Sequence, residues 1–129
     1  MSERSAPSGE QGRCGVVAVD DERVAIAVER LLPVEEIERL TGLFKLLGDP
    51  TRLRILYVLA EVGELCVCDL AAAVGAPETS VSHALRLLRM AGVVRFRRDG
   101  RMAYYALKDH HVRLVLDLAA EHLRHEVDE

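Results

Sequence analysis

Apolar positions recur at three- and four-residue spacing along most of this chain, then switch over one short stretch to every second position. The spacing predicts an amphipathic helix from Asp20, where Val24, Ala27, Val28 and Leu31 share a face and Pro33 ends the run. A second helix is predicted over 34–47, with Ile37, Leu40, Leu43, Phe44 and Leu47 together and Gly48 as the stop. Asp49-Pro50 supplies a cap and a first-turn proline for a third, which Leu53, Leu56, Val58 and Leu59 carry to Gly63. Two short helices follow, 68–74 with Leu70, Ala71 and Val74 inward and 78–90 with Val81, Leu85 and Leu88 inward. The tight break Gly75-Ala76-Pro77 joins them into a helix-turn-helix. After Gly92 the period falls to two: Val94 and Phe96 alternate with Arg95 and Arg97, Asp99-Gly100 is a hairpin signal, and 102–107 returns as a second strand. A last helix is predicted over 109–126.

These elements sum to a mainly α fold with a β-hairpin wing, a winged helix-turn-helix that dimerises through its terminal helices. Residues 1–19 are expected to form a flexible arm, since Met1 to Gly15 is rich in Gly, Ser and Pro without periodicity, and 20–129 the DNA-binding and dimerisation domain. The length of 129 residues suits one domain, and 50% hydrophobic with 29% charged residues excludes a mostly disordered chain. No apolar stretch approaches the roughly eighteen residues of a membrane helix, and the start lacks a signal peptide's apolar segment. The expectation is a cytoplasmic protein with no membrane partner. Three cysteines in a reducing compartment read as buried filler or ligands, not as a disulfide framework.

A net charge of −4 hides a local excess. Between Arg86 and Arg101 stand six arginines against the single acid Asp99. On charge alone this is either a solvated basic hairpin or an electrostatic footprint for phosphates. The outward stripe of the second short helix decides between them. It carries Thr79, Ser82, His83, Arg86 and Arg89, groups that reach base edges and phosphates, and Arg97, Arg98 and Arg101 are expected at the wing tip. One helix for the major groove and a basic wing for the backbone define the expectation of double-stranded operator DNA, read as inverted half-sites by a two-fold homodimer.

Four of the five histidines, His110, His111, His122 and His125, fall in the last helix, and Asp109 sits at its cap. His122 and His125 project from one face at i and i+3 and can chelate one ion. Asp109 and His111 lie thirteen steps away, about 20 Å along a helix, so one helix cannot close a tetrahedral site. Two antiparallel copies can, which makes Asp109, His111, His122 and His125 a candidate inter-subunit metal site.

The segments Leu47-Gly48-Asp49-Pro50-Thr51-Arg52-Leu53-Arg54-Ile55-Leu56, Glu64-Leu65-Cys66-Val67-Cys68-Asp69-Leu70, Ser80-Val81-Ser82-His83-Ala84-Leu85 and Gly100-Arg101-Met102-Ala103-Tyr104-Tyr105 together resemble the ArsR/SmtB family of bacterial metal-responsive repressors, over roughly residues 20 to 126. Combined in this order the motifs are highly specific. The resemblance adds Ser80 to the DNA-contacting residues. It implies a zinc site of Asp109, His111, His122 and His125, the final His resembling the zinc-sensing members. It also implies a thiolate site for Cd(II) or Pb(II) from Cys14, Cys66 and Cys68, with Asp69 or water as a possible fourth ligand. Ala18 stands where some relatives carry a second arm cysteine, so their four-thiolate site cannot form. Small buried hydrophobes are the bland reading of Cys66 and Cys68. The family implies an apo dimer that holds operator DNA and releases it on loading Zn(II) or Cd(II)/Pb(II), derepressing metal efflux or resistance genes.

Three rivals stand beside this. A thiol redox-sensing regulator would use Cys14, Cys66 and Cys68. A metal hydrolase is disfavoured, for there is no His-Glu-x-x-His and no Gly-rich phosphate loop, and the chain is expected not to be an enzyme. A winged-helix protein-interaction module would lack the steep salt dependence of phosphate neutralisation.

Overall fold

The computed structural model describes residues 17–128, so Cys14, most of the predicted arm and Glu129 lie outside the described residues. Within them the order is α1 (Asp21–Arg30), α2 (Val34–Leu47), α3 (Pro50–Val62), β1 (Leu65–Cys66), α4 (Val67–Val74), α5 (Glu78–Met90), β2 (Val94–Asp99), β3 (Met102–Leu107) and α6 (His110–Asp128). The chain divides into two compact units, the boundary falling inside α2 between Ile37 and Glu38. In the first, Asp20 caps α1 by accepting a hydrogen bond from the Arg23 N–H at 3.0 Å. None of the α1 residues is buried, and Val24, Ile26 and Val28 stay exposed.

In the second unit the caps set the helix ends where the sequence marks them. The Asp49 carboxylate accepts from the Arg52 N–H at 3.0 Å and Pro50 opens α3 without needing a partner for a missing donor. Gly75 ends α4 in the left-handed region at φ 69°, a conformation that strains any residue with a Cβ, and its N–H closes on the Ala71 carbonyl at 2.9 Å. The inward residues of the three helices then meet. Ile55, Leu56 and Leu59 of α3, Leu70, Ala71 and Val74 of α4, and Val81, Ala84, Leu85 and Leu88 of α5 form one core with Val93 and Val94. Leu43 and Leu47 of α2 pack against it, while Phe44 on the same predicted face remains exposed.

β2 and β3 make the wing as an antiparallel hairpin. Asp99 pairs with Met102, so the two turn residues are Gly100 and Arg101, one position later than the Asp99-Gly100 signal suggests, with Gly100 at φ 65°. The pattern does not anticipate β1. Leu65 and Cys66 pair with Tyr105 and Tyr104, giving a three-stranded sheet in the order β1–β3–β2, and α4 starts at Val67, a residue early.

Helix α6 is docked by few contacts. Leu116 enters the core, Val112 packs against it, the Tyr57 hydroxyl donates to the Leu116 carbonyl at 2.6 Å, and the Arg113 guanidinium donates to the Ala60 carbonyl. Leu114, Val115, Leu118 and Leu123 are exposed. The apolar side chains of this helix are therefore mostly open within one chain. Among the described residues no helix is long and apolar enough to cross a membrane.

Candidate DNA-binding face and metal ligands

Helix α5 buries Val81, Ala84, Leu85 and Leu88, the i, i+3, i+4, i+7 stripe, and this turns the opposite side outward. Thr79, Ser80, Ser82, His83, Arg86 and Arg89 are all exposed. An open groove runs along the face, lined by Glu78, Thr79, Ser82, His83 and Arg86. Glu78 is a carboxylate that sequence reasoning did not single out, and it stands in the first turn of the helix, where negative charge suits the macrodipole.

Two of the arginines are engaged inside the protein. The Arg89 guanidinium lies 3.6 Å from the Phe96 ring centre, and Phe96 stacks on Tyr105 at 5.8 Å, which ties the end of α5 to the wing. Arg97 is not at the tip as expected. It lies within β2, where its Nε and Nη2 each donate to a Glu64 carboxylate oxygen at 2.9 Å and its guanidinium sits 4.9 Å from the Tyr104 ring centre. The same hydrogen bonds hold the Glu64 carboxyl below its ordinary range. Arg98, opposite Ala103, and Arg101, in the turn, are the exposed cations at the wing's end.

Cys66 and Cys68 are both free thiols. Cys66 closes β1 and is 5% exposed, while Cys68 in the first turn of α4 is exposed. Glu78 pushes the Cys68 thiol up, first by its charge and then by a hydrogen bond, so less thiolate forms at neutral pH. The neighbouring Asp69 is exposed. These are sulfur and oxygen donors suited to a soft or borderline ion, but two thiols need a further ligand. Cys14 falls outside the described residues.

The histidine set divides between the two ends of α6. The Asp109 Oδ1 caps the helix by accepting from the His111 and Val112 N–H groups at 3.0 and 3.2 Å, and lies 3.7 Å from the His111 Nδ1. His111 also borders an apolar crevice lined by Leu43, Leu47, Val93, Val112, Val115 and Leu116. At the other end exposed His122 and His125 share a shallow concavity with Leu118 and Glu121. Among the described residues no three His, Cys, Asp or Glu side chains gather within one chain into a group that could hold a metal. The donor chemistry fits zinc-type ligation, and each end carries two such groups.

A helix-turn-helix whose second helix presents hydroxyl, imidazole and guanidinium groups beside a basic hairpin is the architecture of a winged helix-turn-helix transcription regulator. Residues 49–95 match the family described as bacterial regulatory protein, arsR family. The chain is 39% identical over 121 residues to the transcriptional repressor SmtB homolog of a Synechocystis species, covering 94% of this chain and 91% of that one. It is 37% identical over 111 residues to the cadmium resistance transcriptional regulatory protein CadC homolog of Staphylococcus aureus, covering 86% and 91%. Among solved structures it resembles the homodimeric winged helix-turn-helix DNA-binding domain Mb0332 of Mycobacterium bovis, with TM-score 0.63 and 30% identity over 85% of this chain and 95% of that one. The chain belongs to the ArsR family of DNA-binding transcriptional regulators.

Proposed function

We propose that this chain is a metal-responsive transcriptional repressor. A homodimer built on the open face of α6 binds operator DNA with inverted half-sites, and binding Zn(II) or Cd(II)/Pb(II) releases it to derepress metal efflux or resistance genes. The names of its relatives, one a repressor and one a cadmium resistance regulator, point the same way. The observation that carries the reading is on α6. Asp109 with His111 and His122 with His125 are half-sites at opposite ends of a helix whose intervening Leu114, Val115 and Leu118 are exposed. An antiparallel copy covers those side chains and brings each half against the other.

A bound Zn(II) would supply coordinate bonds joining the two chains there, and the thiolates of Cys66 and Cys68, with Cys14, would take Cd(II) or Pb(II). The protein's own part is to convert a restraint on α6 into a change at α5. Tyr57 and Arg113 tie α6 to α3, and α3 shares its core with α5, so the paired α6 helices set the spacing of the paired α5 helices. Thr79, Ser80, Ser82, His83 and Arg86 then meet the major groove, while Arg98 and Arg101 meet the backbone. Release requires that metal bind the low-affinity arrangement more tightly, with a coupling of about 1–3 kcal/mol, or roughly 5- to 150-fold. A thiol redox sensor using Cys14, Cys66 and Cys68 is less favoured, because the relatives carry the names of a repressor and a cadmium resistance regulator.

The test is fluorescence anisotropy of the reduced protein on a duplex from its own promoter, titrated separately with Zn(II), Cd(II) and Pb(II), in wild type and Cys66→Ser. Zinc release equal in both makes the histidine helix the switch. Cd(II) or Pb(II) release lost in Cys66→Ser makes the thiolates govern. Release by reductant or oxidant with no response to any metal would overturn the proposal.

A further inference from the structure

Arg97 has the charge of a DNA contact and the surroundings of a structural clamp. Its Nε and Nη2 form a two-point pair with Glu64 at 2.9 Å, and its Nη1 is 4.0 Å from Asp99. A bidentate carboxylate uses the edge of the guanidinium that a phosphate would also take, and the Glu64 charge offsets that of Arg97. The planar group rests on Tyr104, which adds a cation–π contact. Sheet register explains the convergence. Cys66 on β1 and Arg97 on β2 both pair with Tyr104 on β3, so the three form one row across the sheet, and Glu64 stands just before β1. Directly opposed residues in antiparallel strands put their side chains on the same face. The wing is thus clasped to the strand that carries a candidate thiolate.

We infer that Arg97 is a positioning residue of the wing, held out of phosphate contact by Glu64 and Tyr104, and that the phosphate contacts of the wing are left to Arg98 and Arg101. The inference rests on the reading of the chain as a DNA-binding dimer. It separates two roles that net charge cannot, because each neutralised phosphate changes the slope of log K against log salt by about 0.9, so about twice that when both wings of a dimer are affected. A positioning residue alters affinity without altering that slope.

The experiment measures binding of the full chain to a labelled duplex from its own promoter across a salt series. Arg97→Gln should weaken binding with the slope unchanged, whereas Arg98→Gln should flatten the slope by about 0.9 per wing. Glu64→Gln should free Arg97 and steepen the slope by about the same amount, and the double variant Glu64→Gln/Arg97→Gln should return it to the wild-type value. The double variant distinguishes a released arginine from the mere loss of an acidic charge, which would leave the slope steep. A flattened slope in Arg97→Gln alone, or an unchanged slope in Glu64→Gln, overturns the inference while leaving DNA binding intact. Absence of steep salt dependence in the wild type overturns the DNA-binding reading itself and this inference with it.

Discussion

Helices α3, α4 and α5 bring Ile55, Leu56, Leu70, Val81, Leu85 and Leu88 to zero exposure inside one chain, whereas α6, also rich in leucine and valine, buries Leu116 among its described side chains and leaves Leu118 63% and Leu123 59% exposed. Composition does not separate these regions. What separates them is whether the apolar stripe finds its complement within the same chain. The stripe of α3, α4 and α5 does, so their geometry is fixed locally by close packing. Helix α6 is held by Leu116, the partly buried Val112 and hydrogen bonds from Tyr57 and Arg113, which leaves it freer to shift than α3, α4 or α5 when a partner or an ion acts on it.

Substitutions on the two sides should therefore differ in kind. The largest effect is expected from Leu56→Ala, which empties fully buried space and should cost about 2–5 kcal/mol of folding stability by denaturant titration. Leu118→Ala should change stability by no more than about 0.5 kcal/mol if the chain is isolated, yet weaken dimerisation in sedimentation velocity. Equal losses of folding stability at both positions would erase the contrast. A smaller effect is expected of Tyr57→Phe, which removes the hydroxyl's hydrogen bond to the Leu116 carbonyl. It should cost about 0.5–1.5 kcal/mol and speed hydrogen exchange in α6 more than in α4 or α5. Smallest is Glu78→Gln. Glu78 raises the Cys68 thiol, so removing its charge should lower that value and speed Cys68 alkylation at neutral pH, by a factor of several at most. A slower reaction would mean that another group sets the thiol's reactivity.

Much of the fold is legible in the sequence because its punctuation is local. Asp49-Pro50, Gly63 and Gly75 mark helix ends through backbone chemistry, and the change of period after Gly92 marks the wing. What escapes is what forms only across elements. β1 has two residues, too few for any alternation, and exists because Tyr104 and Tyr105 offer it an edge. Glu64 and Arg97 are 33 residues apart, and nothing in the chain's order says that they meet. Glu78 and Cys68 lie on different helices joined by a turn, so their interaction is invisible until the turn is built. The histidines of α6 are a different case. Their spacing already excludes a site within one helix, and the open leucine face between them adds where a second chain would lie.

Mixing two crippled chains tests the central proposal most directly. His111→Ala and His122→Ala homodimers should each lose tight zinc binding and zinc-driven release from DNA. After subunit exchange, each mixed dimer should regain one intact site, joining Asp109 and His111 of one chain to His122 and His125 of the partner subunit. Recovery of zinc-driven release in the mixture is the result this account predicts. A mixture as unresponsive as its parents, with subunit exchange verified, would contradict it.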